Sequence, residues 1–558
     1  MDLSFLLVKM CSLVFSGFAN LGSISATADS VALFVSSSDT NKHILIAAPP
    51  FSGGTNKIFT KKVYVKQQGN SFRTTVPRFS GSVDLAYYSF AIADNSTLTV
   101  VDSVTKCVGS MTGAKVSDTT IGANHLKAVH GIYTQDFQQN SDLSSIGVVS
   151  FVTWGGFLNG LCSATHVAGY DSSISVDGVK YWCKESNLQL FNDHMSYFTS
   201  RGFKVKVQII LNADDQCAST DTSEDLLPKM LNGANIYAPI LTTRKRFQKY
   251  RAVIEYLARK YAKNVQMWDV GNEINSHDVW NNSGDITPVK LIDNYEKRLR
   301  ATYLAVKKYS SKAEVYTSLD HCWGTNYRYK TDPDLGSMSA KLAFDLLVKR
   351  SNLKGSFDWG VGIHVYSFEK GGIRVSPDIW NDDIYGAKNS FSSPGITFRN
   401  LGMLKRYLGS RQNLVNGAVR KIILSEQGIS AQKNGIESNY ADSLQGAAYW
   451  YSFQKAKSLG ISGYFYQNYT TVPVEQDLSI GILRADRTPR RPISDAIRCS
   501  GPDNVSSAIS NCYIGYTNPI KYYSTLGRPS ITDWKFIDYE NSQSLEDEEL
   551  CAVTVSNY

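Results

Sequence analysis

The stretch Val265-Gln266-Met267-Trp268-Asp269-Val270-Gly271-Asn272-Glu273 indicates the fold class of this chain. Its first six residues form a short run with β-branched and aromatic side chains, which is typical of a strand, and a glycine and two polar residues follow directly. Amphipathic segments lie on either side of it, at Phe247 to Ala258 and at Tyr303 to Val306. A strand between two helical segments is typical of the βα units that build a parallel sheet.

The same alternation extends over residues 119–500 and contains eight candidate strands. These are Val129 to Thr134, Gly147 to Val152, Val205 to Leu211, Val265 to Val270, Ala313 to Ser318, Trp359 to His364, Lys421 to Glu426 and Gly463 to Gln467. Eight β units over this length are typical of a (β/α)₈ TIM barrel with loop insertions. No Gly-x-Gly-x-x-Gly motif follows the first strand, which disfavours a doubly wound dinucleotide-binding sheet. We therefore predict an α/β fold with a (β/α)₈ barrel.

The residues before and after the barrel carry different patterns. Short apolar or alternating runs, separated by Ser, Asn, Gly and Pro, fill residues 29–118 and predict a small β-sandwich domain. Residues 1–28 contain an apolar run and the small-x-small triplet Ala26-Thr27-Ala28, which predict a signal peptide, although Asp2 and Lys9 are unusual in one. The alternative for these residues is an ordinary buried N-terminal segment. Residues 501–558 are a C-terminal extension of uncertain fold.

Sequons and cysteines agree with export. Eight cysteines remain once residues 1–28 are removed, an even number that permits disulfide bonds, and Cys499–Cys512 is the first pair to expect. The Asn-x-Ser/Thr sequons are at Asn95, Asn281, Asn468 and Asn504. We expect Asn468 to be unmodified, because a glycan at the barrel mouth would obstruct the site. The sequence thus predicts a secreted or cell-surface glycoprotein with disulfide bonds.

The composition disfavours some classes of partner. The formal net charge of +8 is spread along the chain without a block of Lys and Arg, so we expect no nucleic-acid partner. Beyond the first residues, no stretch approaches the ~20 apolar residues of a spanning helix, so we expect no membrane span. Aromatic residues are plentiful, with 32 Tyr and 9 Trp, which suits stacking on sugar rings but equally suits a large core. We expect a monomer.

Catalytic groups of such barrels lie at the C-terminal ends of the strands, where the βα loops converge. The fourth predicted strand leads into Glu273 and the seventh ends at Glu426, so the two carboxylates can face each other across the barrel mouth. Glycosidic bond cleavage needs such a pair, since one group protonates the leaving oxygen and the other attacks the anomeric carbon. Asn272 can hydrogen-bond a sugar hydroxyl. His364 and Tyr366 are further candidate substrate-binding residues, and either could instead orient the nucleophile.

Each of these residue types also has a structural interpretation. Glu426 could be the partner of a buried Arg or Lys, and His364 could be a hydrogen-bonded structural residue. A metal site at Asp320 and His321 is weakly indicated, because no Cys-x-x-Cys or Glu-x-x-His motif accompanies it. We predict no metal and no organic cofactor.

The ends of strands four, six and seven resemble those of clan A retaining glycoside hydrolases, the superfamily of cellulases, mannanases and β-galactosidases. Within it the chain looks most like a little-characterised barrel family labelled as a domain of unknown function. The similarity runs from about Lys127 to Ile497 and includes Trp268 to Asn275, Leu424 to Gly428 and Leu478 to Leu483. The resemblance implies that Glu273 is the acid/base, Glu426 the nucleophile and Asn272 a substrate-binding neighbour.

The aromatic candidates depart from that resemblance. Many cellulase-like members place a Trp after strand eight as a sugar platform, whereas Tyr464-Phe465-Tyr466-Gln467 occupies that region here. We therefore take Tyr466, with Trp154 and Trp323, as candidate substrate contacts. An Arg that several of those families use near the nucleophile has no evident counterpart.

We predict a secreted retaining glycoside hydrolase that cleaves a β-linked oligo- or polysaccharide by double displacement. The alternatives are a non-catalytic glycan-binding surface protein and a transglycosylase that uses the same carboxylates. The sugar, the linkage, and endo or exo action depend on loop shape, which the sequence does not give.

Overall fold

The N-terminal part of the chain is built of strands. The computed structural model describes residues 20–36, 43–51, 59–62, 71–94, 96–97, 100, 105–112, 127–130, 148–152, 157–212, 226, 235–284, 286–325, 337–368, 375–377, 379, 386–471 and 478–500. The first strands are β1 (Asn20–Ala26), β2 (Ser30–Ser36), β3 (His43–Ala48), β4 (Phe59–Lys62), β5 (Ser71–Pro77), β6 (Phe79–Ser80), β7 (Val83–Asp84), β8 (Ser89–Asp94) and β9 (Ser110–Met111). They pair into a sheet of order β5-β2-β1-β9, a sheet of order β4-β3-β8 and the hairpin β6-β7. A β-sandwich over residues 29–118 stays a prediction.

Strand β1 lies within the residues predicted to form a signal peptide. It pairs antiparallel with β2 and parallel with β9. Leu21, Ile24 and Ala26 are buried in the main hydrophobic core. Cleavage after Ala28 would remove a strand that is paired on both of its edges. The boundary at residue 28 stays a prediction, and this pairing favours a cut before β1.

The following strands contain the barrel. They are β10 (Lys127–His130), β11 (Val148–Val152), β12 (Cys162–Ser163), β13 (Ser172–Val176), β14 (Val179–Cys183), β15 (Lys204–Ile209), β16 (Leu211–Asn212), β17 (Ile236–Tyr237), β18 (Val265–Val270), β19 (Glu314–Leu319), β20 (Gly360–His364), β21 (Ile422–Gln427), β22 (Gln432–Lys433), β23 (Ile436–Glu437) and β24 (Gly463–Tyr466). Parallel pairing closes β10, β11, β15, β18, β19, β20, β21 and β24 into a barrel in that order. Each of the eight predicted strands overlaps one of these, so the α/β class and the parallel barrel sheet are confirmed.

Helices between the strands share the main hydrophobic core with the barrel. They are α1 (Phe157–Gly160), α2 (Gln189–Thr199), α3 (Arg244–Tyr261), α4 (His277–Trp280), α5 (Pro288–Tyr309), α6 (Ala340–Lys354), α7 (Leu401–Leu408), α8 (Asn439–Ser458) and α9 (Arg491–Cys499). The hydroxyls of Thr243, Thr287, Ser339 and Ser438 each accept a backbone N–H in the first turn of a helix. Such a cap contributes about 1 kcal/mol and fixes where the helix begins. Among the residues described, no helix combines the length and the apolar character that crossing a bilayer requires.

A small sheet of order β12-β14-β13 extends from the barrel after β11. The disulfide bond Cys162–Cys183 joins the edge strand β12 to the central strand β14, where the two cysteines are paired residues. The predicted pair Cys499–Cys512 lies outside the described residues, since they do not include Cys512. Within the described part of the chain there is thus one disulfide bond.

The barrel interior is layered. Its floor is an apolar cluster of Ala128, Met267, Tyr316, Ile423 and Phe465. Alternate residues of a strand face the same side, so Asp269 comes one layer above Met267, towards the C-terminal ends of the strands. There it forms a fully buried ion pair with Lys206. The candidate catalytic residues follow in the next layer.

Candidate active site

Glu273 and Glu426 are brought together around the end of strand β20. Glu273 follows β18 by three residues and Glu426 lies near the end of β21. His364 ends β20, and its Nδ1 lies 3.0 Å from Glu273 Oε1 and 3.8 Å from Glu426 Oε2. The sum of these two distances is an upper limit for the separation of the two oxygens. The carboxylates therefore face each other at short range, with one imidazole between them.

The imidazole of His364 is completely buried. Its Nε2 lies 3.2 Å from Ser318 Oγ, which also accepts the backbone N–H of Glu273 at 3.2 Å. Burial by itself disfavours a charged ring, but the charge of Glu426 and the hydrogen bond to Glu273 outweigh it and raise the pKa of His364 to about 9. At neutral pH the site therefore contains one cation beside its two carboxyl groups.

Tyr366 holds the other side of Glu426. Its Oη donates to Glu426 Oε1 at 2.8 Å. The ring of Tyr366 is anchored in a small apolar cluster, whose other members are Cys322, Phe368, Val375 and Ile480. One oxygen of Glu426 is thus bound by a phenol and the other faces an imidazole, which fixes the direction of the carboxylate.

Asn272 is held by a residue that sequence analysis missed. Gln208, near the end of β15, donates from Nε2 to Asn272 Oδ1 at 2.8 Å and to the Gly271 carbonyl at 3.2 Å. Asn272 is therefore oriented before any substrate arrives. A polar side chain near the end of a β-branched strand was the signal available for Gln208, as it was for Glu426.

The backbone that presents Glu273 is left-handed at two positions. Gly271 has φ 85° and Glu273 has φ 39°. A Cβ at position 271 would lie 3.2 Å from the side chain of Ile274 and 3.3 Å from Asn281 Oδ1, so glycine is required there for both conformation and space. A left-handed residue other than glycine costs of order 1–3 kcal/mol and is typical of functional sites. This conformation lets Glu273 project at a sharp turn between β18 and α4.

Two predicted aromatic contacts are corrected by their burial. Trp323 is 0% exposed and donates from Nε1 to the Phe391 carbonyl. Tyr466 is also 0% exposed, and its Oη donates to the Ile429 carbonyl at 3.0 Å. A ring enclosed in the core offers no face to a sugar, so these two residues are structural. Trp154 lies outside the described residues.

Asp320, His321 and Cys322 place possible metal-ligating atoms close together after β19. Asp320 Oδ1 accepts the side-chain N–H of Asn275 and the backbone N–H of Cys322, each at 2.7 Å, and Oδ2 accepts the hydroxyl of Ser276. These contacts already use both carboxylate oxygens and tie the loop after β19 to the loop after β18. We therefore assign this cluster a structural role.

Comparison with known proteins gives one family and several similar folds. The model of a family of unknown function (DUF5722) matches residues 123–508. Among curated proteins, none matches the sequence. A family 39 glycoside hydrolase from the gut symbiont Bacteroides cellulosilyticus WH2 is similar at 13% identity and a TM-score of 0.44, over 87% of this chain and 82% of that one. Native xylanase 10B from Thermotoga maritima is similar at 10% identity and a TM-score of 0.41, over 69% of this chain and 98% of that one.

Proposed function

The chain belongs to DUF5722, a family of unknown function, and we propose that it is a retaining glycoside hydrolase that cleaves a β-linked glycan. The observation that carries the proposal is the position of His364 Nδ1 within 4.0 Å of both Glu273 and Glu426. Two carboxyl groups on separate barrel strands, each oriented by a further side chain, are what acid-assisted displacement at an anomeric carbon requires. Glu273 is the acid/base and Glu426 the nucleophile.

In the first step Glu426 attacks the anomeric carbon while Glu273 donates a proton to the glycosidic oxygen. The bond from the anomeric carbon to the leaving group breaks, and a bond to a Glu426 oxygen forms. In the second step Glu273 takes a proton from water, whose oxygen displaces Glu426 from the same carbon. Two inversions at one carbon retain its configuration.

The short separation of the carboxylates favours retention. Retaining enzymes place their two carboxyl groups roughly 5 to 5.5 Å apart, and inverting enzymes need room for a water between groups about 6.5 to 9.5 Å apart. The two distances from His364 limit the separation of Glu273 Oε1 and Glu426 Oε2 to a value that excludes most of the inverting range. Tyr366 donates its hydrogen bond to Glu426 Oε1, so Oε2 is the oxygen that attacks the anomeric carbon.

Export and the role of the N-terminal sheets belong to the same proposal. The Cys162–Cys183 disulfide fits an oxidising compartment, such as the cell surface or the extracellular space. The N-terminal sheets share one continuous core with the barrel, which favours a bracing role over an independent glycan-binding module.

A transglycosylase would use the same carboxylates. Analysis of the products for chains longer than the substrate distinguishes it from a hydrolase.

The test is a screen of the purified protein on aryl β-glycosides and β-linked polysaccharides, with Glu426→Gln and Glu273→Gln beside the parent. We expect the parent to release sugar, and each substitution to lower kcat by about 10²- to 10⁴-fold, because each removes a group that acts in the transition state. Proton NMR of the first product should show the anomeric configuration of the substrate.

Glu314→Gln is the matched control, because Glu314 begins barrel strand β19 at the opposite end and pairs with Lys421. Its activity should equal that of the parent. An inverted first product would remove Glu426 as the nucleophile. Bound but uncut glycan would favour the alternative of a binding protein.

A further inference from the structure

A fully buried ion pair lies beneath the two carboxylates. Lys206 Nζ is 3.2 Å from Asp269 Oδ2, and both side chains are 0% exposed. Removing two charges from water is costly, and apolar residues of similar volume are often as stabilising as such a pair. Stability alone therefore does not account for charged residues directly above the apolar floor of this barrel.

Lys206 also contacts the strand that carries Glu426. Its Nζ donates to the carbonyl of Ser425 at 3.2 Å, one residue before Glu426 in β21. The ring of Phe465 lies on the neighbouring strand β24, with its centroid 4.7 Å from Nζ. Lys206 thus bridges from β15 and β18, on one side of the barrel, to β21 and β24.

The pairing of β21 is irregular at the residues that Lys206 reaches. The register with β20 shifts between Ile363 and His364, and the register with β24 shifts between Leu424 and Gln427. Irregular pairing of this kind re-aims a side chain and interrupts the regular ladder. The neighbouring strands alone therefore do not define the direction of Glu426, and the hydrogen bond from Lys206 adds a fixed point beside it.

We propose that Lys206, held by Asp269, is a positioning residue for Glu426: it anchors the Ser425 carbonyl where the pairing of β21 is irregular and so directs the carboxylate at the anomeric carbon. The inference rests on the proposed function, in which Glu426 is the nucleophile. The charged and titratable groups around Lys206 are Asp269 and Glu426, and His364 lies within electrostatic range of Asp269. Lys206 itself touches no substrate.

The test compares Lys206→Met/Asp269→Asn with Asp269→Asn alone. The double variant removes both charges, so no unpaired charge is left in the core and the protein should fold with a Tm near that of the parent. We expect kcat to fall about 10- to 100-fold with KM within about 2-fold, because a misdirected nucleophile slows the chemical step and leaves binding intact. Asp269→Asn should have a lower Tm, because it leaves the Lys206 ammonium buried without its counter-charge. At a temperature where it is folded it should keep more activity than the double variant, since an amide oxygen still accepts from Lys206 and the Ser425 contact remains.

Arg78→Met/Asp84→Asn is the matched control, because that pair is also buried but lies in the N-terminal strands. At a temperature where it is folded, its kcat should equal that of the parent. If the parent is active, Glu426→Gln is inactive, and the Lys206→Met/Asp269→Asn variant keeps the kcat of the parent, the positioning role is overturned and the proposed function stands. A parent that releases no sugar overturns the proposed function and this inference with it.

Discussion

At the scale of single residues, His364 is the group on which the site depends. Its Nδ1 contacts Glu273 and faces Glu426, and its Nε2 reaches Ser318, so one ring connects three strand ends. A protonated imidazole at this position attracts negative charge on either side chain and so favours their close approach. The same ring lies at hydrogen-bond distance from Glu273 and can therefore exchange a proton with it.

The raised pKa of His364 predicts a pH-dependent stability. Folding raises this pKa from 6.5 to about 9, so the stabilisation is fully present below the lower value and is lost as pH rises through the higher one. We expect His364→Gln to lack this contribution. The difference in free energy of unfolding between the parent and His364→Gln should therefore shrink by about 3 kcal/mol as the pH rises from about 6 to about 10. Urea unfolding at a series of pH values measures the difference, and a pH-independent difference would contradict the prediction.

Sequence reasoning predicted that Glu273 and Glu426 lie close together, because both come at the ends of strand-like runs and the ends of barrel strands converge. It missed Gln208 and Ser318, because a polar residue within a strand points to the site only when the register of that strand is known. Trp323 illustrates the opposite error. Its residue type suits sugar stacking, but the burial that excludes this role depends on packing between segments far apart in the chain.

At the scale of elements, the strand pattern of the barrel was readable because β-branched runs alternate with amphipathic helices. The N-terminal boundary of the fold was harder to predict. Strand β1 lies within residues whose apolar character equally suits a leader, and only its pairing with β2 and β9 distinguishes the two. The Cys162–Cys183 pair was likewise hidden, since connectivity depends on which strands come together.

Strand β1 predicts where the chain tolerates truncation. A chain that begins at Asn20 keeps β1 and should fold, whereas one that begins at Asp29 loses the buried side chains of Leu21 and Ile24. Burying each contributes about 1.5–3 kcal/mol, and the lost pairing exposes the edge of β2, so we expect a markedly lower Tm or insoluble protein. Thermal unfolding of the two chains tests this, and equal Tm values would show that β1 is dispensable. If a leader is removed in the cell, N-terminal sequencing should place the cut before Asn20.

At the scale of the whole molecule, one core and one buried charge network join the N-terminal strands to the barrel. Asp177, in the turn between β13 and β14, accepts from the Tyr88 hydroxyl at 2.6 Å, from the Asp84 backbone N–H at 3.1 Å and from Arg251 at 2.7 Å. Tyr88 belongs to the N-terminal strands and Arg251 to helix α3. Asp177 therefore links three parts of the chain that are remote in sequence.

This linkage predicts that the N-terminal strands and the barrel unfold together. Replacing Asp177 by Ala leaves Arg251 buried without its closest carboxylate, and breaking such a pair costs about 3–5 kcal/mol. We expect the parent to unfold in urea in one transition, with the same midpoint by tryptophan fluorescence and by far-UV circular dichroism. Asp177→Ala should lower that midpoint. Activity at a permissive temperature should stay near that of the parent, because Asp177 lies outside the barrel mouth. Two separate transitions in the parent would instead mean that the N-terminal strands form an independent module, and the bracing role would then be withdrawn.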